Sequence, residues 1–148
     1  MYSLGRLIDA VDITQTTFTK WVALKRAGTI TIFAIAASTT GNITVEIAQD
    51  ASGTAAEDYA PGSAVAAEGI TTWHVQQGGV WAKQTQAAAA TVATTTGSGD
   101  ITAIQIDTHR IPDGFDYITA KHANAKLLAV LGDLEVQRAP ENLSSLIV

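Results

Sequence analysis

The chain has 148 residues, carries nine Lys and Arg against fourteen Asp and Glu for a net charge of −5, and contains no Cys. That length suits one domain, the charge has the wrong sign for a nucleic acid partner, and the missing thiols exclude disulfides, thiolate catalysis and Cys-based zinc sites. The 26 Ala, 20 Thr and 24 Ile plus Val, against nine Leu, favour strands over helices, because β-branched side chains fit a pleated surface and lose rotamer freedom on a helix.

No stretch has the length of a membrane span, and the opening MYSLGRLIDAVD lacks the basic and continuous apolar regions of a signal peptide, so synthesis in a cytoplasm with no membrane partner is expected. Within that opening Leu4, Leu7, Ile8 and Val11 stand at helical spacing. They predict an N-terminal arm over 1–15, helical or extended, that must dock on something to be stable. Residues 16–26 change to period two, with Phe18 alternating against Thr17 and Thr19, and predict a strand. Residues 29–36, TITIFAIA, are apolar on both faces and suit an interior strand or a subunit contact. After a turn at Thr40 to Asn42, Ile43, Val45 and Ile47 fall on one face of a half-buried strand.

Residues 50–69 contain Gly53, Pro61, Gly62 and Gly69 with few large side chains and predict a long connection. ITTWHVQQ, Gly78, Gly79 and VWAKQTQ read as a β-hairpin, with Trp73 and Trp81 expected as cross-strand or diagonal neighbours. The Ala and Thr run 87–99 has little to fix one register. Residues 100–108 alternate again, with Ile104 and Ile106 on one face and Ile101 and Ala103 on the other. Pro112, Asp113 and Gly114 then make a turn. DYITAKHA and KLLAVLGDLEV supply the last strands around a turn at Asn124, and Pro140 ends the pattern. About eight strands with no βαβ alternation make an all-β, single-domain β-sandwich or jelly-roll-like fold over 16–140. The tail 141–148 ends in Leu143, Leu146, Ile147 and Val148, apolar residues that close the domain's own edge or cross to a neighbour.

Chemistry is sparsely marked. Gly97, Ser98 and Gly99 lack the Lys of a phosphate loop, and there is no nucleophile elbow. Ser98, His109 and Asp107 are the one serine, histidine and acid set that can be drawn, and they read as polar residues at strand ends. His74, His109 and His122 are far apart and form no zinc pattern. Asp100, Asp107, Asp113 and Asp116 are suitable hard ligands for calcium without EF-hand spacing, and solvated turns explain them. Glu46, Glu57, Glu68, Glu135 and Glu141 show no spacing that marks a glycosidase pair. Trp73, Trp81 and Tyr59 suggest a sugar-binding face, against core or interface packing as the plainer account. No catalytic, cofactor or metal residue is assigned, and no enzyme is expected.

GGVWAKQT at residues 78–85, DITAIQID, IPDGFDYITAKHANA and AVLGDLEVQRAP together resemble small virion structural proteins of tailed bacteriophages, particularly those that decorate or cement the capsid exterior. The likeness covers about the last 70 residues and lies in Asp113 to Ile118 and Val130 to Pro140, with Gln137 and Arg138 where an aromatic often stands. It implies a non-enzymatic β-sandwich or jelly-roll module in the virion, whose partners are the major capsid protein and other copies of itself, a homotrimer being favoured by threefold lattice sites. Leu4, Leu7, Ile8, Leu143, Leu146, Ile147 and Val148 are then the expected partner contacts. The alternative is a tail, baseplate or fibre-associated module that holds a host surface glycan through Trp73 and Trp81.

Overall fold

Period-two patterning along most of the chain resolves into eleven strands, every pairing antiparallel, in the computed structural model, which describes residues 8–24, 27–36, 41–63, 67–94 and 97–134. They are β1 (Ile8–Asp12), β2 (Val22–Ala23), β3 (Ala27–Ala36), β4 (Asn42–Ala48), β5 (Glu57–Asp58) and β6 (Ile70–Gln77). β7 (Val80–Ala89), β8 (Thr91–Ala93), β9 (Ile101–Asp107), β10 (Tyr117–Lys121) and β11 (Ala125–Leu134) complete them. One sheet runs β1-β11-β3-β9-β6-β7. The other runs β2-β10-β4, with β5 and β8 sharing the far edge of β4. Apart from one 3-10 turn, Thr108–Arg110, the described residues form no helix. The protein is an all-β, two-sheet single domain.

Alternation explains the core. In β3, Ile30, Ile32 and Ala34 are buried, while Thr31 and Phe33 between them are half-buried on the outer face. Ile104, Leu127 and Leu131 join them from the six-stranded sheet, and Val22, Ile43, Val45, Ile47, Val92 and Ile118 meet them from the other. Each fully buried Ile contributes about 1.5–3 kcal/mol, so this interleaved set drives the sheets together. The strand expected at 29–36, the inward face of Ile43, Val45 and Ile47, the 70–85 hairpin and the last two strands all stand as the sequence predicts. Gly78 and Gly79 both take positive φ, the conformation a two-residue hairpin turn requires.

Three expectations are corrected, and one alternative is decided. Eleven strands replace eight. Of the helical and extended alternatives for the N-terminal arm, the described part takes the extended one: β1 pairs with β11 from Ile8↔Gly132 to Asp12↔Leu128. A long unpaired edge on β11 outweighs the weak preference of so short a helix. Of the strand expected at 16–26, the described residues 16–24 are mostly loop, and only Val22 and Ala23 among them are strand. The cause is Gln15, buried with its Oε1 accepting from the N–H groups of Thr19 and Lys20, each at 2.8 Å, while Nε2 donates to Thr119 Oγ1 at 2.6 Å and the Ala120 carbonyl at 2.8 Å. One side chain thus takes the hydrogen bonds a neighbouring strand would have supplied. Lastly, the low-information run from 87 is ordered into the end of β7 and into β8, which pairs with Asn42 to Thr44.

Candidate functional site: an open sheet face, a polar cleft and an edge strand

The outer face of the six-stranded sheet is set by strand register. One row runs Leu128, Phe33, Ala103, His74 and Lys83, and the next runs Lys126, Ile35, Ile101, Gln76 and Trp81. The centre of this face, at Leu128, Phe33, Ala103 and Ile101, is half-buried and apolar, and the face becomes polar and exposed at Lys126 and toward β7. Val80 and Trp81, 70% and 49% exposed, are the most exposed large apolar residues described. From Val80 to Thr85 every residue of β7 is exposed, so the second sheet does not extend under that half of the hairpin.

At the other end of β3, β9 and β6 lies an open cleft of about 450 Å³, lined by Tyr59, Glu68, His74, Gln105, Asp107 and Arg110 among others. Arg110 Nη1 bridges to Glu68 Oε2 at 2.9 Å, tying the 3-10 turn to the segment before β6. Asp107 caps that turn, its Oδ1 accepting from the His109 backbone N–H at 3.0 Å and facing His109 Nδ1 at 3.1 Å. These hydrogen bonds, the backbone one first, hold the Asp107 carboxyl below its usual range. Tyr59 is buried beside the cleft, and burial, then the Glu68 charge, raises its phenol above the usual value.

The residues singled out from sequence do not converge. Trp73 is buried on the inner face opposite Gln84, whereas Trp81 stands on the outer face opposite Gln76, so the two are neither direct nor diagonal neighbours on one surface. Tyr59 is in the core, and the three rings form no common platform. Ser98 precedes β9, Asp107 is its last residue and His109 follows it, a separation of roughly 20 Å along a seven-residue strand. The hydroxyl nearest in sequence, that of Thr108, already donates to the carbonyls of Ala27 and Gly28. Asp100 accepts from the Gly97 N–H, away from Asp113 and Asp116 in the loop after the 3-10 turn. No group of three or more His, Cys, Asp or Glu residues suited to a metal occurs among the described residues.

His74 lines the cleft, His109 is exposed, and His122 is buried. The Nδ1 of His122 accepts from the N–H groups of Asn124 and Ala125, at 2.9 and 2.8 Å, which assigns the ring proton to Nε2, 2.9 Å from Thr94 Oγ1. Burial lowers its pKa. Its role is to lock the β10–β11 turn. Glu46 faces Asp58 across β4 and β5, and burial first, then that like charge, raises its carboxyl pKa. Leu4, Leu7, Leu143, Leu146, Ile147 and Val148 lie outside the described residues, and Ile8 is placed only as a backbone position in β1.

Sequence reasoning missed the cleft and the free edge of β7. The edge had a signal: ten residues with one charge and no Pro. The opposed faces of Trp73 and Trp81 had one too, since a two-residue turn at Gly78–Gly79 pairs Trp81 with Gln76. No helix among the described residues is long and apolar enough to cross a membrane. Comparison of the chain with protein-family models, curated proteins and solved structures finds no match.

Proposed function

We propose that this chain is a capsid decoration or head-associated structural protein of a tailed bacteriophage, a non-enzymatic module that stabilises the virion by binding the capsid lattice. The observation that carries the reading is strand order. Without the insertion β5 to β7, the order β1-β11-β3-β9 in one sheet faces β2-β10-β4-β8 in the other. Successive strands then alternate between sheets except at β4 and β8, which pair within one, and this is the interleaving of an eight-stranded jelly roll, an architecture used by capsid and lectin domains. On this reading the fold is a jelly-roll sandwich carrying a hairpin insertion, and the resemblance of the last 70 residues to virion proteins supports it independently.

The mechanism is mechanical. Subunits seat on a preassembled lattice, bury additional surface across capsomer boundaries and oppose the outward pressure of packaged DNA. The partners are the major capsid protein and other copies of the chain, with no part for nucleic acid or a membrane, and the site of action is the virion, assembled in the bacterial cytoplasm. Three copies, as expected from threefold lattice sites, is one stoichiometry of self-association.

Co-sedimentation with capsids of the phage that encodes this chain tests the reading. Saturable binding in a fixed ratio to capsomers and a higher capsid melting temperature are expected; absence of binding to mature capsids overturns it. The polar cleft and the exposed Trp81 favour one second reading, a tail or fibre module holding a glycan without Trp73. Glycan-array binding lost in Trp81→Ala and Gln105→Ala, with no capsid binding, selects that alternative.

A further inference from the structure

β7 is the longest edge strand among the described residues, and nothing described pairs with its outer side. Its hydrogen-bonding pattern follows from the hairpin. In a two-residue hairpin the pair flanking the turn, Gln77 and Val80, exchanges both hydrogen bonds, and the exchange recurs at Val75 with Ala82 and at Trp73 with Gln84. Trp81, Lys83 and Thr85 therefore aim their N–H and C=O groups away from β6, into the free edge. An extended row of such groups beside exposed apolar side chains is a template for a further strand.

We propose that this edge pairs with the β7 edge of a second copy, antiparallel and about a two-fold axis at Gln84. The strand is self-complementary only in that sense. Its bulky and charged residues, Val80, Trp81 and Lys83, occupy the first half, and Ala87, Ala88 and Ala89 the second. Pairing about Gln84 sets Trp81 against Ala87, Val80 against Ala88 and Lys83 against Thr85, with opposed side chains on the same face. A two-fold axis at Lys83 would instead oppose its charge with the same charge, which is unfavourable. Within the regular ladder Lys83 and Thr85 become two narrow pairs and form about four intermolecular backbone hydrogen bonds; beyond Thr85 the β6 register shifts, so that Ala89 stands opposite Ile70. The charge balance agrees: the chain is acidic overall, yet no carboxylate lies on β7, so the two copies meet where their repulsion is least. The opposite edge does not compete, because the Asp9 carboxylate of β1 already accepts the Ala10 N–H at 2.9 Å.

The pairing gives a two-copy assembly with a continuous twelve-stranded sheet. Light scattering over a concentration series reads the mass, and two variants locate the contact. Lys83→Pro removes an outward N–H without touching the β6 ladder, and should weaken association about tenfold or more while the melting temperature holds. The chain has no Cys, so Gln84→Cys places the only thiol at the two-fold axis. Opposed Cα atoms at a wide, non-hydrogen-bonded pair lie about 4.5 Å apart, within disulfide reach, so oxidation should give a covalent dimer. Failure of Gln84→Cys to cross-link overturns the pairing, as does a monomer at every concentration or a mass that Lys83→Pro leaves unchanged. A three-copy mass indifferent to Lys83→Pro overturns it and leaves the capsid reading intact. A dimer dissociated by Lys83→Pro that ignores capsids does the reverse.

Discussion

The two edges of the six-stranded sheet are built on opposite principles. β1 is five residues long and closes with carboxylates: Asp9 takes the Ala10 N–H, and Asp12 accepts from Thr14 N at 2.9 Å and lies 3.7 Å from Lys126 Nζ. The chain that follows β1 is drawn into the core by Ile13 and by the hydrogen bonds of Gln15. β7 is twice as long, carries one charge and lies over no second sheet along its first half. Shortness, charge and occupied N–H groups are how β proteins protect an edge. Among the described residues the sheet therefore has a finished edge and an open one, and the open one is where assembly is to be sought.

The largest effect should come from the covered part of the sheet. Leu131, fully buried in β11 between β1 and β3, should cost about 2–5 kcal/mol when replaced by Ala in chemical denaturation. Trp81→Ala should change monomer stability by less than about 0.5 kcal/mol. If the two costs are alike, the hairpin is part of the core and the contrast fails. On the β1 side, Gln15→Ala leaves the N–H groups of Thr19 and Lys20 without their acceptor and should cost about 1–3 kcal/mol.

His122 gives a pH signature on that same side. Its folded pKa is lowered, so the unfolded chain binds more protons, and the stability the neutral ring contributes is present above about pH 6.5 and lost as the pH falls below it. Urea titrations should show this decline in the wild type and lose it in His122→Gln. Gly41→Ala, whose added Cβ would stand 2.5 Å from His122 Nε2, should weaken the same turn at all pH values.

The smallest effect is at β4 and β5. Glu46 has a raised folded pKa, so its contribution is present at low pH and lost as the pH rises from about 4.5 through the folded value. Glu46→Gln should therefore stabilise the fold by about 0.2–1 kcal/mol at pH 7 and do nothing at pH 4. A converse test returns to the edges. Replacing Asp9 and Asp12 together by Thr strips β1 of its protection, and self-association measured by light scattering should rise; an unchanged mass would mean that shortness alone protects that edge.

Much of the fold was legible because a strand declares its buried face locally. Ile43, Val45 and Ile47, or Ile104 and Ile106, alternate with polar or small neighbours, and such alternation has one interpretation when a face is buried. The helical spacing around Ile8 and Val11 did not decide between helix and strand, because spacing within a few residues carries less free energy than the ladder β11 offers. The period-two pattern misled over the described residues 16–24 because Gln15 supplies hydrogen bonds from a side chain, and no local pattern announces that. The cleft was illegible for a simpler reason: Glu68 and Arg110 are 42 residues apart and meet only through the sheet order.

The sequence by itself determined that the chain is all-β, where most strands lie, which faces they bury and that Gly78 and Gly79 turn a hairpin, since all of these depend on side-chain alternation and backbone angles within a few residues. The tertiary structure decided the order of the strands, the partners of Gln15 and His122, and the contrast between β1 and β7. An edge is not a property of a strand. It is the absence of a neighbour, and that is fixed only when every other strand has found its place.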